Sequence, residues 1–146
     1  MSKKKLKNGC IKDEDGNKRW YKEGKLHRLD GPAVERADGY KAWYLNDKLH
    51  RLDGPAIEWA SGGKMWYKNG KRHRLDDPAI EYANGDKYWF QDGELHRLDG
   101  PAVEYADAKS WYQNGKRIDP KEINEQVVAK QERRKTSSRF AHLDFS

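Results

Sequence analysis

One eight-residue phrase, LHRLDGPA, constrains the fold of this chain more than any other feature. It occupies residues 26–33 and returns at 49–56, at 72–79 as RHRLDDPA, and at 95–102. The step from one copy to the next is 23 residues each time. A fixed period of this size is typical of repeat architectures, in which each unit packs mainly on its neighbours.

A second feature with nearly the same period is a row of tryptophans. This tryptophan row consists of Trp20, Trp43, Trp66, Trp89 and Trp111, and its last step is one residue shorter. The mean hydropathy of -1.25 and the charged fraction of 37% would indicate disorder in a chain without a pattern. Aromatic side chains in register can instead supply a thin core where aliphatic residues are few. At 146 residues, the sequence predicts a single repeat domain.

The turn signals define the repeat unit between residues 33 and 55. Asp38-Gly39 and Asn46-Asp47 are two-residue turn signals, and such hairpins need positive φ at both central positions. The segments around them alternate in polarity and predict strands. The predicted fold is therefore all-β: an elongated, twisted antiparallel sheet of stacked β-hairpins.

The assumption of two-residue turns also predicts which side chains share a face. Val34 then lies opposite Trp43, with His50 beyond it. We expect this more apolar face to form the core, from the tryptophan row and a histidine row (His27, His50, His73 and His96).

The opposite face is the candidate binding surface. It carries three sets of residues at the repeat spacing: the tyrosine row (Tyr21, Tyr44 and Tyr67), the arginine row (Arg28, Arg51, Arg74 and Arg97) and the glutamate row (Glu35, Glu58, Glu81 and Glu104). We predict that the arginines and glutamates form a ladder of ion pairs. Such a ladder can equally be a solvated array, because an exposed pair is worth only about 0–1 kcal/mol.

The loops of the repeated phrase contain glycine and proline at fixed places. We expect Gly31, Gly54 and Gly100 to adopt a left-handed backbone conformation, and Asp77 to tolerate it in the third copy. Proline at the next position starts each following strand.

The chain divides into four segments. Residues 1–7 form a basic arm, 8–117 the repeats, 118–134 a short C-terminal capping helix, and 135–146 a mobile tail. The helix is predicted from Asp119 as its N-cap and Pro120 at its first position. The net charge of +6 comprises four lysines in 1–7 and a net +3 in 130–146, which leaves -1 for the rest. A nucleic-acid-binding fold usually carries its positive charge on the folded surface instead.

The phrase WYKNGKRH at residues 66–73, followed by Asn84-Gly85, resembles the MORN repeat, whose period is also 23 residues. The similarity covers about residues 8–117 and is closest to the variant MORN-like repeats of bacteria and their phages. The chain departs from that motif after each histidine, where it has Arg-Leu-Asp-Gly-Pro. The resemblance implies a scaffold or binding module, with phosphoinositide binding claimed for some members, and it brings no catalytic residue.

We find no pattern typical of an enzyme, a cofactor site or a metal site. Stacked repeats stand about 9–10 Å apart, so histidines of adjacent copies cannot share one ion. Serines follow no motif, and the single cysteine, Cys10, excludes an internal disulfide framework. No apolar run suits a membrane span or a signal peptide, so we expect a cytoplasmic protein, in the host cytoplasm if phage-encoded.

Two functional hypotheses follow. The first is a non-enzymatic protein–protein interaction module, for which the resemblance suggests a phage-encoded inhibitor or adaptor acting on a host protein. The alternative is nucleic-acid or nucleotide binding through exposed tyrosine and arginine rows and the basic termini. Attachment to an anionic membrane rests on the same termini and is less favoured. Oligomers could form through the sheet edges.

Overall fold

The computed structural model describes residues 8–122 and 132–134. Its strands, in chain order, are β1 (Asn8–Lys12), β2 (Lys18–Lys22), β3 (Lys25–Leu26), β4 (Val34–Glu35), β5 (Lys41–Ala42), β6 (Tyr44–Leu45), β7 (Lys48–Leu49), β8 (Ile57–Glu58), β9 (Lys64–Met65), β10 (Tyr67–Lys68), β11 (Lys71–Arg72), β12 (Ile80–Glu81), β13 (Lys87–Tyr88), β14 (Phe90–Gln91), β15 (Glu94–Leu95), β16 (Val103–Glu104), β17 (Lys109–Gln113) and β18 (Lys116–Ile118).

The predicted stack of antiparallel hairpins is confirmed. Twelve strands form one open sheet in the order β1-β2-β4-β5-β8-β9-β12-β13-β16-β17-β18, and β3 pairs with β2. Three further two-stranded ribbons, β6-β7, β10-β11 and β14-β15, stand beside this sheet in the middle repeats. The degenerate first repeat keeps the pattern, because Ile11 faces Arg19 just as Val34 faces Ala42 one period later.

A tryptophan separates the sheet from the ribbon in each middle repeat. The N–H of Trp43 donates to the carbonyl of Ala56 in the next repeat, at 2.8 Å. Its own carbonyl accepts from the N–H of His50 in the same ribbon, at 3.0 Å. The backbone therefore passes at Trp43 from one set of hydrogen bonds to the other, which explains why the strands on both sides have only two residues.

The ribbon turns form as predicted. Asn46 and Asp47 have φ values of 48° and 65°, and Tyr44 faces Leu49 across the ribbon. Positive φ at both central residues is the condition for a two-residue hairpin that matches the natural twist of its strands. The turns at 23–24, 69–70, 92–93 and 114–115 have positive φ at both residues as well.

The predicted pairing of Val34 with Trp43 is wrong, because the Asp38-Gly39 loop has three residues rather than two. Val34 faces Ala42, and the N–H of Arg36 donates to the carbonyl of Tyr40 at 2.9 Å. Only Gly39 has positive φ, at 96°, which is typical of a turn closed by one left-handed residue. A shift of one residue moves a whole strand's side chains to the other face.

The core follows the observed register. Its buried cluster is formed by Val34, Ala42, Ile57, Met65, Ala79, Ile80 and Phe90. Tyr44 and Tyr67 pack against this cluster, although the sequence had placed them on the opposite face. In the tryptophan row, Trp89 is buried and Trp66 packs against the cluster, while Trp20, Trp43 and Trp111 are half-buried. The tyrosine positions therefore belong to the packed scaffold.

Two short parts of the region predicted as the C-terminal helix are described. Residues 120–122 and 132–134 are helical. The side chain of Asp119 accepts a hydrogen bond from the N–H of Lys121 at 2.9 Å, which is the N-cap arrangement expected from the sequence. The remainder of the predicted helix, the arm at 1–7 and the tail at 135–146 lie outside the described residues.

Candidate functional site

Each arginine of the arginine row is held by its own repeat. The guanidinium carbon of Arg51 lies 3.9 Å from the centre of the Trp43 ring, and its Nη1 donates to the carbonyl oxygen of Pro55 at 3.1 Å. The same Nη1 is 3.3 Å from Glu58, and Nε is 3.1 Å from Asp53. Stacking on an aromatic face and forked hydrogen bonding are properties of arginine that lysine lacks.

The predicted ladder of arginine–glutamate ion pairs is confirmed in all four copies. The N–O distances are 3.2 Å for Arg28–Glu35, 3.3 Å for Arg51–Glu58, 3.4 Å for Arg74–Glu81 and 3.2 Å for Arg97–Glu104. The four stacking distances to the tryptophan rings lie between 3.8 and 4.0 Å. Each arginine pairs with the glutamate seven residues on, across the loop of the repeated phrase, so the pairs fix the path of that phrase rather than offer free charges to a ligand.

The arginine explains the glycine of the phrase, and the predicted left-handed conformation there is wrong. Gly31, Gly54 and Gly100 are absent from the positive-φ residues of the chain. A Cβ at Gly54 would instead lie 2.8 Å from the guanidinium carbon of Arg51. Glycine therefore leaves room for the close approach of the arginine side chain, and its own backbone conformation does not call for glycine.

The third repeat deviates because Asp77 replaces that glycine. The Nη2 of Arg74 is 3.3 Å from the Asp77 carboxylate, whereas Nε pairs with the aspartate two residues on in the other copies. The side chain of Arg74 is also more exposed, at 28% against 22% for Arg51. The replacement loosens the arginine but keeps its stacking on Trp66, at 3.9 Å.

The histidine row joins each repeat to the next. Nδ1 of His27, His50, His73 and His96 accepts the N–H of the first turn residue of the following ribbon, at 3.0–3.1 Å. The acceptor role requires Nδ1 to be unprotonated, so a neutral ring carries its proton on Nε2. Nε2 of His27 is buried without a hydrogen-bond partner among the described residues. These histidines act as connectors between ribbons.

The sheet face that carries the glutamate row has alternating charges. Across successive strands the Cα partners are Lys18, Glu35, Lys41, Glu58, Lys64, Glu81, Lys87, Glu104 and Lys109. Opposite charges on neighbouring strands favour this register. The alternation also means that this face bears no continuous basic stripe, which a phosphate backbone would require.

A row of leucines remains exposed, and the sequence reasoning did not single it out. Leu29, Leu52, Leu75 and Leu98 follow the four arginines, and they are 83%, 78%, 67% and 53% exposed. We call this set the leucine edge. The sequence did contain a signal for these residues. A leucine recurs in every copy of the repeated phrase, at a loop position where the alternation of side chains along a strand cannot direct it into the core.

Aspartates and clefts accompany the leucine edge. Asp30, Asp53 and Asp99 are 87–88% exposed, while the arginines that they contact are only 22–23% exposed. A cleft of about 630 Å³ between the first two loops is lined by both leucines, Leu29 and Leu52, and by Trp43. The next cleft, of about 340 Å³, lies between Leu52 and Leu75. The edge therefore presents apolar side chains and exposed carboxylates around repeated clefts.

A chain of aromatic rings lies along the three-residue loops. Successive ring centres are 5.8–6.5 Å apart in the order Tyr40, Trp59, Tyr82, Tyr88 and Tyr105. The Tyr88 hydroxyl donates to the Tyr105 hydroxyl at 3.1 Å. This hydrogen bond, together with burial, raises the pKa of Tyr88 to about 12. The chain crosses several repeats and couples their loops.

The comparison with known proteins adds no relative. Neither protein-family models nor curated protein sequences match the chain. Residues 8–122 and 132–134 contain no group of three or more histidine, cysteine, aspartate or glutamate side chains placed to hold a metal. Within the same residues, no helix has the length and apolar character needed to cross a bilayer. The stacked hairpins are compatible with a MORN-like repeat.

Proposed function

We propose that this protein is a non-enzymatic protein-binding repeat module and that its contact surface is the leucine edge. The observation that supports the proposal most directly is the exposure of Leu29, Leu52, Leu75 and Leu98 at the same place in each repeat. Contiguous exposed apolar surface marks interaction sites in soluble proteins. Repeat proteins use such periodic surfaces to contact partners over several units at once.

The tyrosine, arginine and glutamate rows have a smaller part in this proposal than the sequence assigned to them. Each arginine pairs with the glutamate seven residues on, and Tyr44 and Tyr67 pack against the core. Substitution of these residues would destabilise the fold, so a loss of binding could not be attributed to a lost contact with a partner. The leucines avoid this difficulty, because their side chains contribute little to the fold while exposed.

The energetics of the edge suit a specific partner. Complete burial of one leucine side chain gives about 1.5–3 kcal/mol, and association itself costs about 4–15 kcal/mol. One leucine cannot offset that cost, whereas the leucines of several repeats acting together can. The exposed carboxylates of Asp30, Asp53 and Asp99 add electrostatic selectivity for a partner with basic side chains between apolar ones.

The resemblance to MORN-like repeats of bacteria and phages suggests an inhibitor or adaptor of a bacterial host protein. The test is affinity capture from a bacterial lysate with the wild-type chain and with a variant in which all four leucines are serine. Ile11→Ser is the control, since it removes an exposed apolar side chain that lies outside the leucine edge. A partner retained by the control and lost by the leucine variant supports the proposal. A partner retained equally by both variants would contradict it.

Nucleic-acid binding is the alternative, supported by the exposure of Tyr82 and Tyr105 and by the basic ends of the sequence. Electrophoretic mobility shifts across a salt series test it. Binding that persists after removal of residues 1–7 and 130–146, and that falls on Tyr105→Ala, would favour this alternative. If removal of the termini alone abolishes binding, the binding is only electrostatic attraction between the basic termini and the phosphates.

A further inference from the structure

Trp111, the last residue of the tryptophan row, differs from the others in what lies against its ring. In the first four copies an arginine follows the tryptophan by eight residues and stacks on its ring, as Arg97 does on Trp89 at 4.0 Å. Eight residues after Trp111 the chain has Asp119. Within the described ranges, no cation stacks on the Trp111 ring, although the ring is only half-buried.

A cleft marks the place where the missing arginine would lie. It has a volume of about 500 Å³ and is lined by Lys109, Ser110, Trp111, Arg117, Ile118, Asp119 and Pro120. The tryptophan supplies an aromatic face, and Asp119 supplies a carboxylate at the wall of the same cleft. These are the two kinds of group that hold the guanidinium in the complete repeats.

Two cations line the cleft: Arg117, which does not stack on the Trp111 ring, and Lys109, which has a counterpart in every complete repeat. Lys109 precedes Trp111 by two residues, and every complete repeat has a lysine two residues before its tryptophan, as Lys87 precedes Trp89. The complete sites therefore accommodate a stacked arginine beside that lysine. A planar, weakly hydrated guanidinium stacks on an indole more readily than a compact ammonium group, so the cleft favours arginine over lysine.

We propose that this cleft, the Trp111 site, binds an arginine side chain of a partner protein. The guanidinium stacks on the indole of Trp111, as the arginine of each complete repeat stacks on its own tryptophan, and donates to the carboxylate of Asp119. That the arginine comes from a partner protein rests on the proposed protein-binding function. The site itself is inferred from the comparison between repeats. The leucine edge and the Trp111 site share no residue, so each can be tested without the other.

The test follows the indole N–H signals of the full chain in ¹H–¹⁵N spectra during titration with a capped Gly-Arg-Gly peptide. Trp111→Phe identifies the signal. We expect saturable shifts of Trp111 in the millimolar range, typical of one stacked cation, while the indoles of Trp43 and Trp89 stay in place because their own arginines cover them. The isosteric citrulline peptide, which lacks the charge, should bind at least about tenfold more weakly.

Two variants separate recognition from folding. Asp119→Asn keeps a good helix cap and should weaken arginine binding several-fold, whereas Trp111→Leu should abolish it. Shifts that are equal for arginine and citrulline, or no Trp111 shift up to about 20 mM peptide, would overturn the proposal. The chain has three arginines after the site, Arg133, Arg134 and Arg139. If a shift appears only when all three are replaced by glutamine, the occupant is one of this chain's own arginines and the partner assignment is overturned. In each case the capture experiment on the leucine edge gives an independent result.

Discussion

Replacement of Arg51 by alanine should destabilise the protein far more than its position in a loop suggests. The substitution removes a guanidinium 3.9 Å from the Trp43 ring centre and a charged donor 3.1 Å from the Pro55 carbonyl. Stacking of a cation contributes about 0.5–2 kcal/mol, and a hydrogen bond to a charged group about 1.5–3 kcal/mol. The two partly exposed ion pairs add about 0–1 kcal/mol each. Because these terms overlap, we expect a loss of about 2–4 kcal/mol.

Arg36→Ala is the matched control. Arg36 also lies over an aromatic ring and pairs with the aspartate two residues on, but its guanidinium is 5.4 Å from the Tyr40 ring and its side chain is 50% exposed. We therefore expect a cost below about 1 kcal/mol for this variant.

Urea unfolding followed by far-ultraviolet circular dichroism compares the two variants without depending on the fluorescence of Trp43. Equal losses for Arg36→Ala and Arg51→Ala would refute the reasoning, as would a loss below about 0.5 kcal/mol for Arg51→Ala. Arg51→Lys should resemble the alanine variant more than the wild type, because an ammonium group cannot stack and fork in the same way.

Two further predictions follow from the same geometry. Gly54→Ala should cost about 1 kcal/mol or less in urea unfolding by shifting the Arg51 guanidinium away from Asp53, as Asp77 changes the pairing of Arg74, while Asp77→Gly should leave the protein as stable or more stable; the opposite order would contradict the steric account. Tyr105→Phe should lower the pKa of Tyr88 from about 12 towards the ordinary value near 10, measured by ultraviolet titration of tyrosinate. Since the raised pKa favours the neutral hydroxyl in the fold, its stabilisation is complete below pH of about 10 and is lost as the pH rises towards 12. Tyr105→Phe should reduce that loss, and an unchanged titration would contradict the prediction.

The stacked hairpins could be predicted because their signals are local and repeated. Asn46-Asp47 has the residues that a two-residue turn requires, and the structure has positive φ at both. The arginine–glutamate pairs follow from two rows with one period. Asp119 with Pro120 begins the helix as expected.

The register of the sheet could not be predicted with the same certainty from Asp38-Gly39. A two-residue turn and a three-residue loop closed by a left-handed glycine both fit these residues. The choice moves Tyr44 between the core and the opposite face. The role of glycine at position 54 could not be predicted either, because it depends on where the Arg51 side chain lies and not on the local backbone.

The leucine edge was missed for a different reason. Leucine in a repeated phrase is usually read as part of the core, and nothing in the phrase distinguishes it from the buried alanine four residues later. The distinction appears only when the loop is seen to be anchored by its arginine. The arginine is the structural residue of the phrase, and the adjacent leucine is exposed.

That division of roles is tested most directly by the free energy of unfolding of the variant with serine at positions 29, 52, 75 and 98. If the leucines are surface residues reserved for binding, each substitution should change stability by no more than about 0.5 kcal/mol, and the urea transition should keep its slope. Losses of about 2–5 kcal/mol for each leucine, the range for buried side chains, would contradict the account and return the leucine edge to the core.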